Sequence, residues 1–414
     1  MPDQHNSDPE NPVFPWRSLA VPIFLPNLLY SIGQGAIVPM IPMVASRLGC
    51  NLAVAGLISA MLVVGALVGD LPSGALIARI GERTAMVGAS VVASIGVGIA
   101  LLANSPGWLG LGVFLIGLAT AIFSLARHAF MTTDVPSTYR ARAMSTLGGT
   151  FRLGLLIGPF LSAWLITATG TPTSAFWVQL VGALAAGILV MTLPDPTRAI
   201  HSQSGTDDPQ TPDSPRSTQG LWRSIRTNRG VLLTIGLGAS SLSALRASRQ
   251  VLLPLWGVSL GLGEVNIAMI IGIAQVVDSA LFYTGGWIMD RLGRIWAILP
   301  CAIGLGIGHI ALSFTHDLPQ AITWYIGMAM FLSLANGIGS GILLTLGSDL
   351  ADPQDPAPFL GAWRFTTDLG SALAPVLISA ITGIASLSIA ALALGCLGLA
   401  GASVLGIHLP KHKH

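Results

Sequence analysis

The stretch Gly286-Trp287-Ile288-Met289-Asp290-Arg291-Leu292-Gly293-Arg294 decides the fold, because it has a counterpart 212 positions earlier. That counterpart is Gly74-Ala75-Leu76-Ile77-Ala78-Arg79-Ile80-Gly81-Glu82-Arg83. The same offset of 212 joins Gly74 to Gly286, Arg79 to Arg291 and Gly81 to Gly293. It extends outward to Pro42 and Pro254, Leu48-Gly49 and Leu260-Gly261, Gly149 and Gly361, Arg152 and Arg364, and Gly158 and Gly370. With Gly 49 in the chain, one matched glycine would mean nothing. A single offset joining scarce Arg and Pro positions reads as an internal duplication into two parallel halves.

Composition says what surrounds these halves. Of 414 residues, 52% are hydrophobic and 9% charged, and the mean hydropathy is +0.73. Soluble chains are roughly 25% charged, so this chain cannot cover a soluble surface. A soluble enzyme and a disordered chain are thereby excluded. A formal net charge of +2 gives no basic excess for a nucleic-acid partner. The fold class is therefore all-α integral membrane: twelve transmembrane helices in two pseudo-symmetric six-helix bundles. The predicted spans are 18–45, 52–77, 85–103, 108–131, 143–168, 175–193, 231–258, 265–289, 295–314, 319–345, 359–381 and 384–407. The first apolar run, from Leu19 to about Ala45, is too long for a signal-peptide core. Cys50, Cys301 and Cys396 match no disulfide or zinc spacing and read as small apolar fillers.

The expected organisation is an N-terminal tail (1–17), a six-helix half (18–193), a linker (194–229), a second six-helix half (230–408) and a tail (409–414). The Ser-, Thr-, Pro- and Asp-rich linker cannot bury apolar area. At its end, Trp222 and Ile225 alternate with Arg223, Arg226 and Arg229, which reads either as a short helix on anionic lipid or as a basic linker end. Fourteen basic residues fall on one side: Arg17, Arg79, Arg83, Arg140, Arg142, Arg198, Arg216, Arg223, Arg226, Arg229, Arg291, Arg294, Lys411 and Lys413. Arg47 alone falls on the other. This bias predicts both termini in the cytoplasm and a place in the plasma or inner membrane.

The duplicated stretch resembles motif A of the major facilitator superfamily, and the resemblance covers nearly the whole chain. It implies that Gly74, Gly81, Gly286 and Gly293 shape tight packing and turns, and that Arg79, Arg83, Asp290, Arg291 and Arg294 line a cytoplasmic gate. The first copy departs from the pattern, with Ala78 in place of Asp and Glu82 in place of Arg. Asp70, two turns earlier, is then either a replacement lock paired with Arg127 or a proton or substrate site. Gly154-Leu155-Leu156-Ile157-Gly158-Pro159 is similar to motif C of the antiporter branches. Ser162 and Ala163 stand where those branches carry Gly, and Ser145 where an earlier Gly is common. Generic helix packing is the competing reading of Gly154, Gly158 and Pro159.

Charges inside spans cost about 2.5–3.5 kcal/mol each and face cavities or partners. Here they are Asp70, Arg127, Arg152, Arg246, Arg249, Asp278, Arg364 and Asp368. Arg246 and Arg249 share a face three residues apart, with Arg246 expected to pair with Asp278 and Arg249 to stand as the free cavity cation. Arg364 and Asp368 can pair within one helix, and Arg127, Arg152 and Arg364 serve either the gate or a net-cationic cavity. Asp278 and Asp70 are the proton-coupling candidates. Asn27, Ser31, Gln34, Gln275 and Asn336 add neutral polar groups to the substrate site. His309 reads as packing, and Trp108, Trp256 and Trp324 as interface anchors.

The resemblance implies a secondary active transporter that moves a small organic molecule by rocking its halves. Proton-coupled efflux is the first reading; an uptake symporter or uniporter for an organic anion is the second. A membrane-embedded enzyme or receptor has no nucleophile–base set, metal cluster or phosphate loop to support it. The expected partners are the substrate, protons and the lipid bilayer, with no cofactor, no metal and no nucleic acid, in a monomer.

Overall fold

A computed structural model describes residues 24–133, 137–193, 226–351 and 356–409; for 132–133, 137–142, 283 and 356–357 it describes only the backbone. All regular elements among the described residues are helical. We number the spans α1 (Leu25–Ile37 bent into Ile41–Arg47), α2 (Leu52–Ile80), α3 (Glu82–Leu101), α4 (Pro106–Met131), α5 (Ala143–Thr169) and α6 (Ser174–Thr192). The second half has α7 (Arg229–Ser259), α8 (Glu264–Arg291), α9 (Ile295–Ser313), α10 (Ala321–Leu350), α11 (Pro358–Ile384) and α12 (Leu387–His408). Eleven of these are each long and apolar enough to cross a bilayer, and α1 becomes the twelfth as a bent pair. The N-terminal tail, the linker through Ile225 with Trp222 and Arg223, the C-terminal lysines and the side chains of Arg140 and Arg142 lie outside the described residues.

Hydrocarbon offers backbone groups no water, so each span must satisfy them within itself. Its ends need caps. Asn51 accepts from the Val54 amide at 2.9 Å to start α2, and Ser386 from the Ile389 amide at 3.2 Å to start α12. Arg83 closes the far end of α6, donating to the carbonyls of Val190, Met191 and Leu193 at 2.6–2.9 Å.

Three expected straight spans are broken. α1 bends by 42° around Pro39 and Pro42, where missing amides interrupt the ladder. α8 breaks at Leu281. α10 breaks across Gly339-Ser340-Gly341, and Gly341 takes a left-handed φ of 81° that a side chain would resist.

Glycines set the packing inside each half. Gly65 of α2 lies against the Phe114 carbonyl of α4, and Gly69 against Leu118 and Ala121. Gly154 and Gly158 of α5 lie on the α1 backbone from Ser31 to Ala36. Between halves, α2 packs on α11 and α5 on α8, which are repeat-related pairs. On the face away from the α2–α3 and α8–α9 turns, Met40, Met43, Ala163, Ile267 and Ala268 form one apolar cluster spanning both halves. Two polar contacts cross there as well: Arg47 to Glu264 at 2.7 Å, and Ser379 Oγ donating to the Ala53 carbonyl at 2.7 Å.

Candidate functional site

Four spans meet around one carboxylate. Asp278 of α8 is buried, and its Oδ2 accepts from Arg249 Nη2 of α7 at 2.8 Å and from Asn336 Nδ2 of α10 at 2.7 Å. The other Arg249 amino group, Nη1, donates to buried Ser333 Oγ at 2.6 Å. The expected pairing is thus reversed. Arg249 holds Asp278, while Arg246 donates to the Gly339 carbonyl at 2.6 Å and reaches Cys301 Sγ at 3.6 Å. The reason is α10: three residues apart on one face, Ser333 accepts from Arg249 and Asn336 donates to Asp278, whereas the break at Gly339 leaves a carbonyl for Arg246.

Arg152 completes the group from the other half. Its Nη1 donates to Ser340 Oγ at 3.2 Å, and its guanidinium lies 4.1 Å from the Phe282 ring centroid. Arg152 and Arg364, matched in the repeat, have partners of different kinds. Arg364 is exposed and pairs within α11 with Asp368 at 3.3 Å, as expected. The residue matching Asp368 in the first half is Leu156, so Arg152 has no such partner and reaches across to α10.

A second polar cluster lies within the N-terminal half. Buried Arg127 donates to Asn27 Oδ1, and Asn27 Nδ2 donates to Thr150 Oγ1 at 2.7 Å and the Leu147 carbonyl at 3.1 Å. Ser31 donates back to the Asn27 carbonyl at 2.7 Å. Tyr30 bonds Thr120 and stacks on Phe123. Of the two readings of Asp70, the pair with Arg127 does not form among the described residues. Gly69 is the α2 residue that faces α4, and Asp70, one position round the helix, faces α11 within electrostatic reach of Arg364 and Asp368. Gln34 and Gln275 are half-buried, and the Gln34 Oε1 has no hydrogen-bond partner among the described residues.

At the duplicated loops, Gly81 and Gly293 turn the chain with φ of 80° and 100°. Gly74 and Gly286 do not mediate close packing, since a Cβ at either would meet open space. Asp290 is 81% exposed and only 3.6 Å from Arg294. The firmer bond runs from Arg294 to Asp349, at 2.8 Å, and this carboxylate holds the guanidinium above its usual range. Arg291 stacks over Trp287 and Arg79 is exposed.

Sequence reasoning missed Ser333, Asp349 and Tyr30; spacing from Asn336 was the one available signal for Ser333. Buried His309 is tied to Ser248 at 2.7 Å and the Leu305 carbonyl at 2.7 Å, a packing role. Trp108 and Trp324 are exposed, but Trp256 is fully buried, so it is a core residue and no anchor. Cys301 is buried and Cys396 exposed, so only the former fills the core. An apolar cavity of about 330 Å³ between α7, α11 and α12 lies apart from every one of these charges.

The family model described as Major Facilitator Superfamily matches residues 23–375. An uncharacterised MFS-type transporter of Mycobacterium tuberculosis is 24% identical over 378 residues, 86% of this chain and 84% of that protein. Another from Methanocaldococcus jannaschii is 22% identical over 338 residues, 81% of this chain and 82% of that one. A further M. tuberculosis relative is 26% identical over 158 residues, 38% of this chain, and the chain spans only 23% of its length. Among solved structures, a D-xylose–proton symporter superposes with a TM-score of 0.73 at 16% identity, covering 96% of this chain and 98% of that one. A bacterial homologue of the human lysosomal transporter Spinster, inward-facing and occupied, gives 0.74 at 15% identity, covering 97% and 99%. At such identities a solved structure shows a shared fold, while the family match spans most of the sequence. The chain belongs to the major facilitator superfamily and is a multi-pass membrane protein.

Proposed function

We propose that the chain exports a small organic molecule in exchange for protons, with Asp278 carrying the proton. The buried Arg249–Asp278 pair is the observation behind this reading. While Asp278 is ionised, its charge holds Arg249. Protonation removes that charge and leaves Arg249 buried with Ser333 alone. Stranding one member of a buried pair costs about 3–5 kcal/mol, enough to shift a balance between two rocking states. Asp70 is assigned to the α2–α11 contact, with the duplicated loops and Arg364–Asp368 as the gate around it. The Gly154/Gly158 seam on α1, which resembles motif C, supports export. The basic-residue bias supports cytoplasmic termini in a plasma or inner membrane. We take the monomer as the working unit.

A second reading, uptake of an organic anion by symport or uniport, is favoured by Arg127. It is buried with no carboxylate among its contacts in the described residues.

Proteoliposomes loaded with a pH-sensitive dye distinguish the readings under gradients of a panel of organic solutes. Opposed solute and proton fluxes support antiport, parallel fluxes symport, and solute movement without protons uniport. The Asp278→Asn variant is expected to lose proton flux about 100-fold or more while remaining folded. Wild-type proton flux in that variant would remove Asp278 from coupling.

A further inference from the structure

We propose that Arg152 and Arg246, one from each half, together form an anion-binding site at the break of α10, so that the transported molecule carries a carboxylate or phosphate-type group. This rests on the transport reading above but not on its direction.

Three observations carry it. The first is convergence. Arg152 contacts Ser340 and Arg246 contacts Gly339, adjacent residues whose Cα atoms lie about 3.8 Å apart. Two guanidinium groups from opposite halves therefore bond to the same bend, with Asp278 and Arg246 both within electrostatic reach of Arg152.

The second is charge. Asp278 is already engaged by Arg249 and Asn336. Among the described residues, Arg152 and Arg246 touch only a hydroxyl, a carbonyl, a thiol and an aromatic ring. Three arginines thus face one carboxylate. Arg246 also has a buried Nε with no hydrogen-bond partner among the described residues, and guanidinium donors suit the paired oxygens of an oxyanion.

The third is the broken symmetry of the repeat. The offset of 212 relates Arg152 to Arg364 and also Phe282 to Asp70. In the α2–α11 contact the arginine faces acids, Asp70 and Asp368. In the related α5–α8 contact it faces Phe282, and Leu156 replaces the in-helix acid. The duplication keeps the cation on this side and lacks both repeat-matched acids; the acid that remains within reach, Asp278, is held by Arg249 and Asn336, so the cation is left for a ligand. An anion held by both arginines bridges the halves and favours the closed arrangement, as a substrate must in either direction of transport.

The test uses the full-length protein in detergent, with thermal stabilisation measured against three probe sets: small organic carboxylates including benzoate and citrate, inorganic phosphate with glycerol phosphate, and matched benzylamine and benzyl alcohol. An anionic probe is expected to stabilise the wild type, and whether it is carboxylate or phosphate assigns the group. Arg152→Gln and Arg246→Gln are each expected to weaken that binding about ten- to hundredfold. Arg→Lys at either site should restore part of it, which a merely structural arginine would not show. The double variant should lose less than the sum, since both hold one ligand. Stabilisation by the amine or alcohol alone, by no probe, or by anions equally in the Gln variants would overturn the proposal. Proton-coupled flux that survives such a result would leave the transport reading intact. Anion binding without any coupled flux would instead remove proton coupling and keep the site.

Discussion

Asp278 places two donors on one oxygen, while its Oδ1 has no hydrogen-bond partner among the described residues. Such a group tolerates loss of its cation poorly. Arg249→Gln is expected to lower stability by about 3–5 kcal/mol, and the paired Arg249→Met, Asp278→Leu replacement to recover most of it, as read by unfolding in detergent. Equal losses in the single and paired variants would show that the ion pair does not set the cost. The sequence made these charges visible, because 9% charge in an apolar chain leaves few to weigh. It did not say which arginine takes the acid. Arg246 and Arg249 differ by only about 60° around the helix, and the choice is made by Ser333 and Asn336 on another span. The choice between the two readings of Asp70 turned on the same thing: depth along two helices was legible, and rotation about them, which sets Asp70 apart from Arg127, was not.

The twelve apolar runs made the helices readable, and Gly81 and Gly293 marked true turns. Breaks inside spans were not anticipated, although Pro39, Pro42 and the Gly-Ser-Gly of α10 stood in plain view; apolar length alone hides them. Close packing is likewise selective among glycines. Gly65 lies against the α4 backbone, so Gly65→Ala must push two helices apart and should lower the melting temperature by several degrees. Gly98 of α3 faces open space, and Gly98→Ala should leave the melting temperature unchanged or slightly raised. Equal effects at the two positions would mean that the α2–α4 seam is looser than described.

The halves touch along α2–α11 and α5–α8 and close on the face bearing Arg47–Glu264 and Ser379–Ala53. If they rock, that face must part. Cysteines placed as Ala53→Cys with Ser379→Cys, with Cys50, Cys301 and Cys396 replaced by Ser, are expected to cross-link on oxidation and arrest transport until reduced. Undiminished transport after full cross-linking would show that this seam does not open. The Arg47–Glu264 pair is exposed and contributes under about 1 kcal/mol, so it adjusts this closure and does not hold it alone.

The bend in α1 gives this closure a particular economy of movement. Its segment Leu25–Ile37 is bound along α5 and α6, while Ile41–Arg47 packs on α2 of the same half and also reaches α7 of the other. One helix is thus divided between two bodies, with prolines at the joint. The outer seven residues can swing like a latch on a fixed post, so the α1 share of that closure, Arg47–Glu264 included, can loosen by the displacement of a single turn or two of helix. The heavier rotation of a whole half can follow it.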